Sequence, residues 1–348
     1  MFKLNSAPKR HKEKVLNIQK QVRDYQSRGD GKGMCAVSPA QEAHEAGAKA
    51  HPVKLDLVDI LAIDTERRVV RCEPLVRVGS LVTALDRLGW TLPIVPEMED
   101  LTLGGLVMGT GLETSSHRHG LFQHICRRWV TSLLINLLQI IFIIFSYELV
   151  LVDGSIVECS PYSDPELFFS IPWSYGTIGF LTCVEIDIIP GRRFVRLDYI
   201  PVYSLEQMIE TLERELERPD HHDFVECIMF SRDQAAVMTG DMVETAHPDK
   251  LNEIGLWHKP WFFKHVQTFF DTGPQTEHVP LQQYYHRHSR SLFWELQQFI
   301  PFGNNIVFRY LFGWLMPPKV SLLKLTQGKS LKSLYESKHI IQATLIND

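Results

Sequence analysis

Several common signatures are absent from this 348-residue sequence. No Cys-x-x-Cys pair occurs among its six cysteines, which argues against structural zinc and a disulfide framework and suits a reducing compartment. The formal net charge of −5 gives no reason to expect nucleic acid as a partner. No Ser–His–Asp order or paired-carboxylate motif supports hydrolysis. The basic N-terminus also lacks the apolar core of a cleavable signal peptide.

The most informative stretch is the glycine-rich segment at residues 101–120, and two familiar nucleotide motifs do not explain it. A dinucleotide GxGxxG motif would need glycine at 109, 111 and 114, but position 114 is Thr114. A complete Walker loop is also absent from the sequence. Glycine lets backbone N–H groups approach a ligand closely, and a run of such donors favours an anion such as phosphate. The segment therefore predicts a cofactor cradle of another kind.

Hydrophobic spacing predicts an α+β chain that is long enough for two domains. An N-terminal amphipathic helix is indicated by Val15, Ile18, Val22 and Tyr25, although a solvated basic helix is the alternative. Strands are predicted at 55–64, 68–74, 147–161 (a hairpin turning at Asp153–Gly154), 195–202, 224–230 and 235–242, with helices at 78–88 and 204–218.

The order of glycine, proline and hydrophobic motifs from 69 to 190 resembles the FAD-binding domain of the vanillyl-alcohol-oxidase (PCMH) type. That resemblance implies an FAD-binding domain at 1–195, interrupted by an apolar insertion at 127–146, and a partial substrate or cap domain at 196–348. In that family the glycine loop lies along the flavin's pyrophosphate and ribityl chain, and the flavin here is expected to be non-covalent. The implied cofactor contacts are Thr102, Leu103, Gly104, Gly105, Leu106, Val107, Met108, Gly109, Thr110, Gly111, Leu112, Glu113 and Thr114.

Longer aromatic stretches at 5–25, 259–266, 284–305 and 308–328 resemble the Δ24-sterol reductases of that superfamily. The resemblance implies NADPH as reductant and a sterol substrate whose C24=C25 double bond is reduced, as in the conversion of desmosterol to cholesterol. It also implies the endoplasmic reticulum membrane, facing the cytoplasm, and a chain shortened at both ends. Neither the catalytic proton donor nor protein partners are identified. The rivals are an oxidase of the same fold and a truncated, non-catalytic membrane-associated relative that acts through protein contacts.

Two windows depart from the family pattern. At 30–54 the expected first phosphate loop is replaced by alanine, glutamate, histidine and proline. Residues 129–147 form an uncharged run of 19 residues, which as a helix would be about 28 Å long and therefore a transmembrane candidate. A single crossing would separate strands that must pair, so a helix that is buried or dips into the membrane is the alternative. A further alternative is that this insertion reflects an altered transcript or gene model.

Other candidates have both a functional and a structural interpretation. Ser115, Ser116 and His117 are candidates for cofactor hydrogen bonds, or the serines for helix capping. Gly176, Thr177 and Gly179 are expected to approach the cofactor. The basic cluster of His286, Arg287, His288 and Arg290 would contact substrate or nicotinamide, or form a structural polar cluster; no metal site is predicted. The aromatic segments 261–263, 293–294 and 308–314 would line a sterol pocket, dip into membrane or pack in the core.

Overall fold

The computed structural model of the chain describes residues 2–28, 33–37, 50–126, 146–291, 296–297 and 300–315. The helices in these ranges are α1 (Phe2–Gln26), α2 (Val78–Asp86), α3 (Leu103–Met108), α4 (Ser116–His119), α5 (Pro165–Ser170), α6 (Leu205–Leu216), α7 (Phe262–Gln267), α8 (Phe269–Thr272), α9 (Leu281–Tyr285) and α10 (Ile306–Phe312). The strands are β1 (Gly33–Val37), β2 (Ala50–Lys54), β3 (Ile60–Asp64), β4 (Val69–Cys72), β5 (Trp90–Thr91), β6 (Tyr147–Leu151), β7 (Ile156–Cys159), β8 (Gly179–Asp187), β9 (Ile189–Pro190), β10 (Phe194–Val202), β11 (Phe224–Ser231), β12 (Gln234–Val243) and β13 (Gln275–Pro280). The predicted insertion at 127–146 lies outside the described residues except for Ser146, as does part of the 30–54 window.

The first half of the chain forms a five-stranded antiparallel sheet in the order β3-β4-β8-β6-β7. The predicted hairpin of β6 and β7 turns at Gly154, whose φ of +75° suits glycine. The central strand β8 is buried from Leu181 to Ile186 on both faces of the sheet. Such a strand needs a packed layer on each side.

Different helices supply those two layers. On one face Leu81 and Leu85 of α2 join Val184 and Ile186 of β8 in the main hydrophobic core. On the other face α1 packs its apolar stripe against residues 53–57 and β6. The stripe consists of the predicted core positions Val15, Ile18 and Val22, so the amphipathic interpretation of this helix is confirmed.

The second half forms a four-stranded antiparallel sheet in the order β11-β12-β10-β13. Helix α6, capped by Ser204, covers one face through Met208 and Leu212. Helices α7 to α9 cover the other face, and their apolar side chains belong to the same core cluster as the first sheet. β10 begins at Phe194, beside the predicted domain boundary at 195/196, and that boundary stays a prediction.

Helix α1 is also fixed to the first sheet by a buried ionic cluster. His11 Nδ1 lies 2.9 Å from Glu73 Oε1, and its Nε2 lies 3.0 Å from Glu148 Oε1. Lys14 Nζ donates to Glu73 Oε2 and to Asp59 Oδ2, each at 2.8 Å. Burial opposes the charged imidazole, but the hydrogen bonds that it donates to Glu148 and Glu73 outweigh this and raise the pKa of His11 from 6.5 to about 9.

Replacing His11 with leucine is expected to lower the free energy of unfolding by about 2 kcal/mol near neutral pH. The folded-state pKa of His11 lies above its unfolded value, so its stabilisation is complete below pH 6.5 and is lost as pH rises through about 9. Urea unfolding across this range should therefore show the difference between wild type and variant shrinking at alkaline pH. Lys12→Ala, at an exposed position of the same helix, is the control. A difference that does not change with pH would contradict this assignment.

Candidate functional site

The glycine segment, residues 102–114, is built around the short helix α3. Thr102 caps this helix, its Oγ1 accepting a hydrogen bond from the backbone N–H of Gly105 at 3.4 Å. Leu103, Leu106 and Val107 are buried in the main core. The helix therefore turns one side into the protein and leaves the other at the surface.

Most glycines of the segment are explained by packing within the protein. A Cβ on Gly104 would lie 2.6 Å from Pro74 Cβ, and one on Gly109 would lie 2.7 Å from the carbonyl oxygen of Gly105. A Cβ on Gly111 would lie 3.0 Å from Phe122 Cβ. Their Cβ positions therefore face other protein atoms, and the contact of their backbone with a cofactor, which the family resemblance implies, stays a prediction.

Gly105 differs from its neighbours. It is exposed, and a Cβ there would meet only Thr102 Oγ1, at 3.1 Å. Thr110 and Leu112 are exposed as well, while Met108 and Gly109 are partly exposed. We call Gly105, Met108, Gly109, Thr110 and Leu112 the exposed edge of the glycine segment. Along this edge the backbone at Gly105 can be approached closely by a ligand.

A strained turn lies against this edge. The backbone N–H of Tyr175 donates to the carbonyl oxygen of Met108 at 3.0 Å, and the adjacent Gly176 has Met108 Sδ 3.9 Å from its Cβ position. Trp173 and Tyr175 have φ values of +67° and +50°, and their side chains are 51% and 75% exposed. Such strain often marks a functional site. The sequence contains no signal for these left-handed conformations, so Trp173 and Tyr175 were not predicted.

The remaining predictions around this segment have different outcomes. Gly176 lies beside the edge, whereas a Cβ on Gly179 would meet the Val150 carbonyl oxygen at 2.9 Å within the sheet. Ser115 Oγ is buried and donates to the Pro93 carbonyl oxygen at 2.8 Å, so it neither caps α4 nor faces a ligand. Ser116 Oγ accepts from the Glu113 N–H at 2.8 Å. The ring of His117 lies between the carbonyl oxygens of Thr114 and His222.

A buried ionic cluster lies where the glycine segment meets the second sheet. Arg287 Nη2 lies 2.6 Å from Glu97 Oε1 and 3.0 Å from Glu226 Oε2, and the Arg287 side chain is 2% exposed. His288 Nε2 lies 3.1 Å from Glu226 Oε1. Arg287 also stacks over the Tyr284 ring at 4.5 Å. Of the predicted basic cluster, Arg287 and His288 thus pair with acids from β11 and from the loop before α3. Arg290 instead donates to backbone carbonyl oxygens, and the ring of His286 lies beside the carbonyl oxygen of Glu97. These contacts favour the structural interpretation.

Burial and the charges of this cluster shift the pKa values of two glutamates, Glu226 and Glu113, in opposite directions. Burial opposes ionisation of Glu226, but Arg287 and His288 outweigh it and lower its pKa to about 2. Glu113, at the end of the glycine segment, shows the reverse. Burial and the nearby Glu97 carboxylate raise the pKa of Glu113 to about 8, although Arg287 opposes this.

The same acids could be mistaken for a metal site. Glu97, Glu226 and His288 bring ligand atoms within 4.8 Å of one another. The Arg287 guanidinium, however, already bonds both carboxylates. A metal ion would have to displace this buried cation, and we assign none.

The aromatic segments divide between core and surface. Trp261, Phe262 and Phe263 are buried, so this segment is core. Residues 293–294 lie outside the described residues. Tyr310, Phe312 and Trp314, in contrast, are exposed. Across the described ranges, none of the helices has both the length and the apolar character that a membrane span requires.

Comparison with known proteins indicates the family of the chain. A family model described as an FAD binding domain matches residues 40–132, which include the whole glycine segment. Delta(24)-sterol reductase of Mus musculus is 48% identical over 99% of this chain, and that of Homo sapiens is equally similar. The Delta(24)-sterol reductase homolog of Caenorhabditis elegans is 37% identical over 99% of the chain. The chain spans 64% of the length of the two mammalian relatives.

These observations define the class first: an α+β chain with a PCMH-type FAD-binding domain, as the sequence predicted. Within that class the chain belongs to the Delta(24)-sterol reductase family, and this expectation is confirmed as well.

Proposed function

We propose that this chain binds FAD non-covalently and reduces the C24=C25 double bond of sterols of the desmosterol type, with NADPH as the reductant. The observation that carries the proposal is the 48% identity to Delta(24)-sterol reductases over 99% of the chain. The choice of NADPH as the reductant and of a sterol as the substrate rests on the family relationship alone.

The described residues fit an FAD molecule along the exposed edge of the glycine segment. The backbone at Gly105 and the partly exposed backbone at Gly109 would approach the cofactor, while Leu112 offers it an apolar surface. The turn at Trp173–Gly176 would close the same side through its bond to Met108. When bound, FAD supplies hydride-transfer chemistry, and the protein supplies position and electrostatics. Thr102, by capping α3, holds the exposed edge in place.

We also propose that the chain works at the cytoplasmic face of the endoplasmic reticulum membrane, where a sterol substrate would be dissolved. In α10 the side chains of Ile306, Val307, Tyr310 and Leu311 are between 57% and 61% exposed. Arg309 of the same helix points back to the protein and donates to the carbonyl oxygens of Asn304 and His258. Exposed apolar patches of this kind are typical of membrane or protein contacts.

The test is the FAD content of the full chain after purification in mild detergent, read from the visible flavin spectrum. Near-stoichiometric FAD, followed by NADPH-dependent conversion of desmosterol in a product assay, is the expected result. A folded chain without flavin would reject the proposal and favour the non-catalytic alternative. Fractionation of the cells that produce the chain tests the location, because the chain should sediment with endoplasmic reticulum membranes.

A further inference from the structure

Helix α6 turns a row of glutamates away from the sheet that it covers. Met208 and Leu212 pack against the second sheet. Four acids lie on the opposite face at helical spacing, and all are exposed: Glu206, Glu210, Glu213 and Glu217. We call these four residues the acidic row. Three exposed apolar side chains flank it: Leu205, Ile209 and Leu216.

The acidic row does not stabilise its own helix. Carboxylates three or four residues apart on a helix repel each other, and those near the C-terminal end oppose the helix dipole. Glu213 and Glu217 lie at that end of α6. Among the described residues the row forms no ion pair, and the cations at the same end, Arg214 and Arg218, are paired with Glu215 instead. The row is therefore an uncompensated negative surface.

Helix α1 carries the complementary pattern on its outer face. Its apolar stripe packs against the first sheet. The opposite side presents three lysines and a leucine, all exposed, which we call the basic row: Lys9, Lys12, Leu16 and Lys20. The ion pairs that fix α1 to the first sheet use Arg10, His11 and Lys14, and among the described residues they do not involve these lysines. Glu13, an exposed acid beside the row, leaves the surface positive.

We propose that the basic row of α1 binds the acidic row of α6 in a second copy of this chain. The two helices cover different sheets and their rows face away from those sheets, so the rows do not meet within one chain. Each row extends over about 16 Å of helix, so the two match in length as well as in charge. Leu16, which is 48% exposed, supplies an apolar contact for the side chains that flank the acidic row.

A second copy explains both rows with one partner. An anionic lipid surface would attract the basic row but repel the acidic row, and a basic protein would do the reverse. Because each copy carries one row of each sign, a dimer with twofold symmetry forms two identical contacts at once and leaves neither row unpaired. The contact depends neither on FAD nor on sterol reduction, so its failure and the failure of the proposed function are separate results.

Charge reversal in the full chain tests this contact by sedimentation velocity in mild detergent. The first variant presents two acidic rows and carries Lys9→Glu, Lys12→Glu and Lys20→Glu. The second variant presents two basic rows and carries Glu206→Lys, Glu210→Lys and Glu213→Lys. Each alone should self-associate at least about a hundredfold more weakly than the wild-type dimer. An equal mixture of the two should form dimers again, because α1 of each variant then faces an α6 of opposite charge.

Three controls keep the result interpretable. Arg87→Glu combined with Arg232→Glu changes exposed charges outside both rows and should leave the dimer intact. Melting temperatures close to that of the wild type show that the variants fold, and a chain with all six reversals should dimerise by itself. About 1 M salt, at which the Debye length is about 3 Å, should weaken the wild-type dimer without any substitution.

A monomeric wild-type chain, a dimer that survives either reversal, or a mixture that stays monomeric would each overturn the proposal. Vesicles of anionic phospholipid identify the rival occupant of the basic row. If the wild-type chain is monomeric and binds these vesicles, while the variant with reversed lysines does not, a lipid surface occupies the basic row and the proposed dimer is wrong.

Discussion

Replacing Gly105 with valine is expected to weaken FAD binding about a hundredfold, or about 2.7 kcal/mol, with little change in the stability of the fold. Gly105 is exposed, and only Thr102 Oγ1 lies near its Cβ position, at 3.1 Å. Valine has a somewhat higher helix propensity than glycine, so α3 should persist. The branched side chain would instead occupy the space into which we place the cofactor. Titration of the flavin-free chain with FAD, followed by fluorescence, gives the dissociation constant.

The alanine variant makes the same test with a smaller side chain. Gly105→Ala should leave the free energy of unfolding within about 1 kcal/mol of the wild type, because the gain in helix propensity is offset by the tight 3.1 Å contact with Thr102 Oγ1, yet weaken FAD binding about tenfold. Gly191→Ala is the control, since a Cβ there meets Trp90 backbone atoms at an ordinary distance of 3.4 Å. If both alanine variants bind FAD like the wild type, the assignment of the exposed edge is wrong.

A substitution at Gly104 could not test contact with the cofactor in this way. A Cβ there would collide with Pro74, both with its Cβ at 2.6 Å and with its carbonyl oxygen at 3.2 Å. Any loss of flavin in a Gly104 variant would follow from displacement of α3. Both glycines belong to the same predicted segment, and only the structure distinguishes the one that packs from the one that faces solvent.

The sequence predicted local elements well and distant partners poorly. Helix α2, the hairpin of β6 and β7, and strands β10 to β12 follow periodic hydrophobic patterns, which are local properties. The packing role of Gly111 depends on Phe122, a contact that no spacing rule reveals. The acids that neutralise Arg287 lie 190 and 61 residues away, so the cluster was interpreted as basic.

Arg287 joins the loop before α3 to the second sheet, beside the junction with the glycine segment. Arg287→Met is expected to lower the free energy of unfolding by about 4 kcal/mol, since it leaves the carboxylates of Glu97 and Glu226 buried without their cation. In the wild-type chain the folded-state pKa of Glu226 is depressed to about 2. The stabilisation from this ion pair is therefore present above pH 4.5 and lost as pH falls through about 2, so acid should reduce the difference between wild type and variant.

Urea unfolding of a small set of variants tests whether the buried ionic cluster of Arg287, Glu97 and Glu226 holds this junction together. Arg192→Met is the matched control because Arg192 and Glu244 form an exposed pair at 3.8 Å, for which a change below about 1 kcal/mol is expected. The triple variant Arg287→Met, Glu97→Gln, Glu226→Gln should recover much of the lost stability, since the uncompensated charges are then gone. If Arg287→Met behaves like Arg192→Met, or if the triple variant is less stable than Arg287→Met, the cluster does not hold the junction together. The expected recovery by the triple variant would identify the uncompensated buried charge as the cause of the loss.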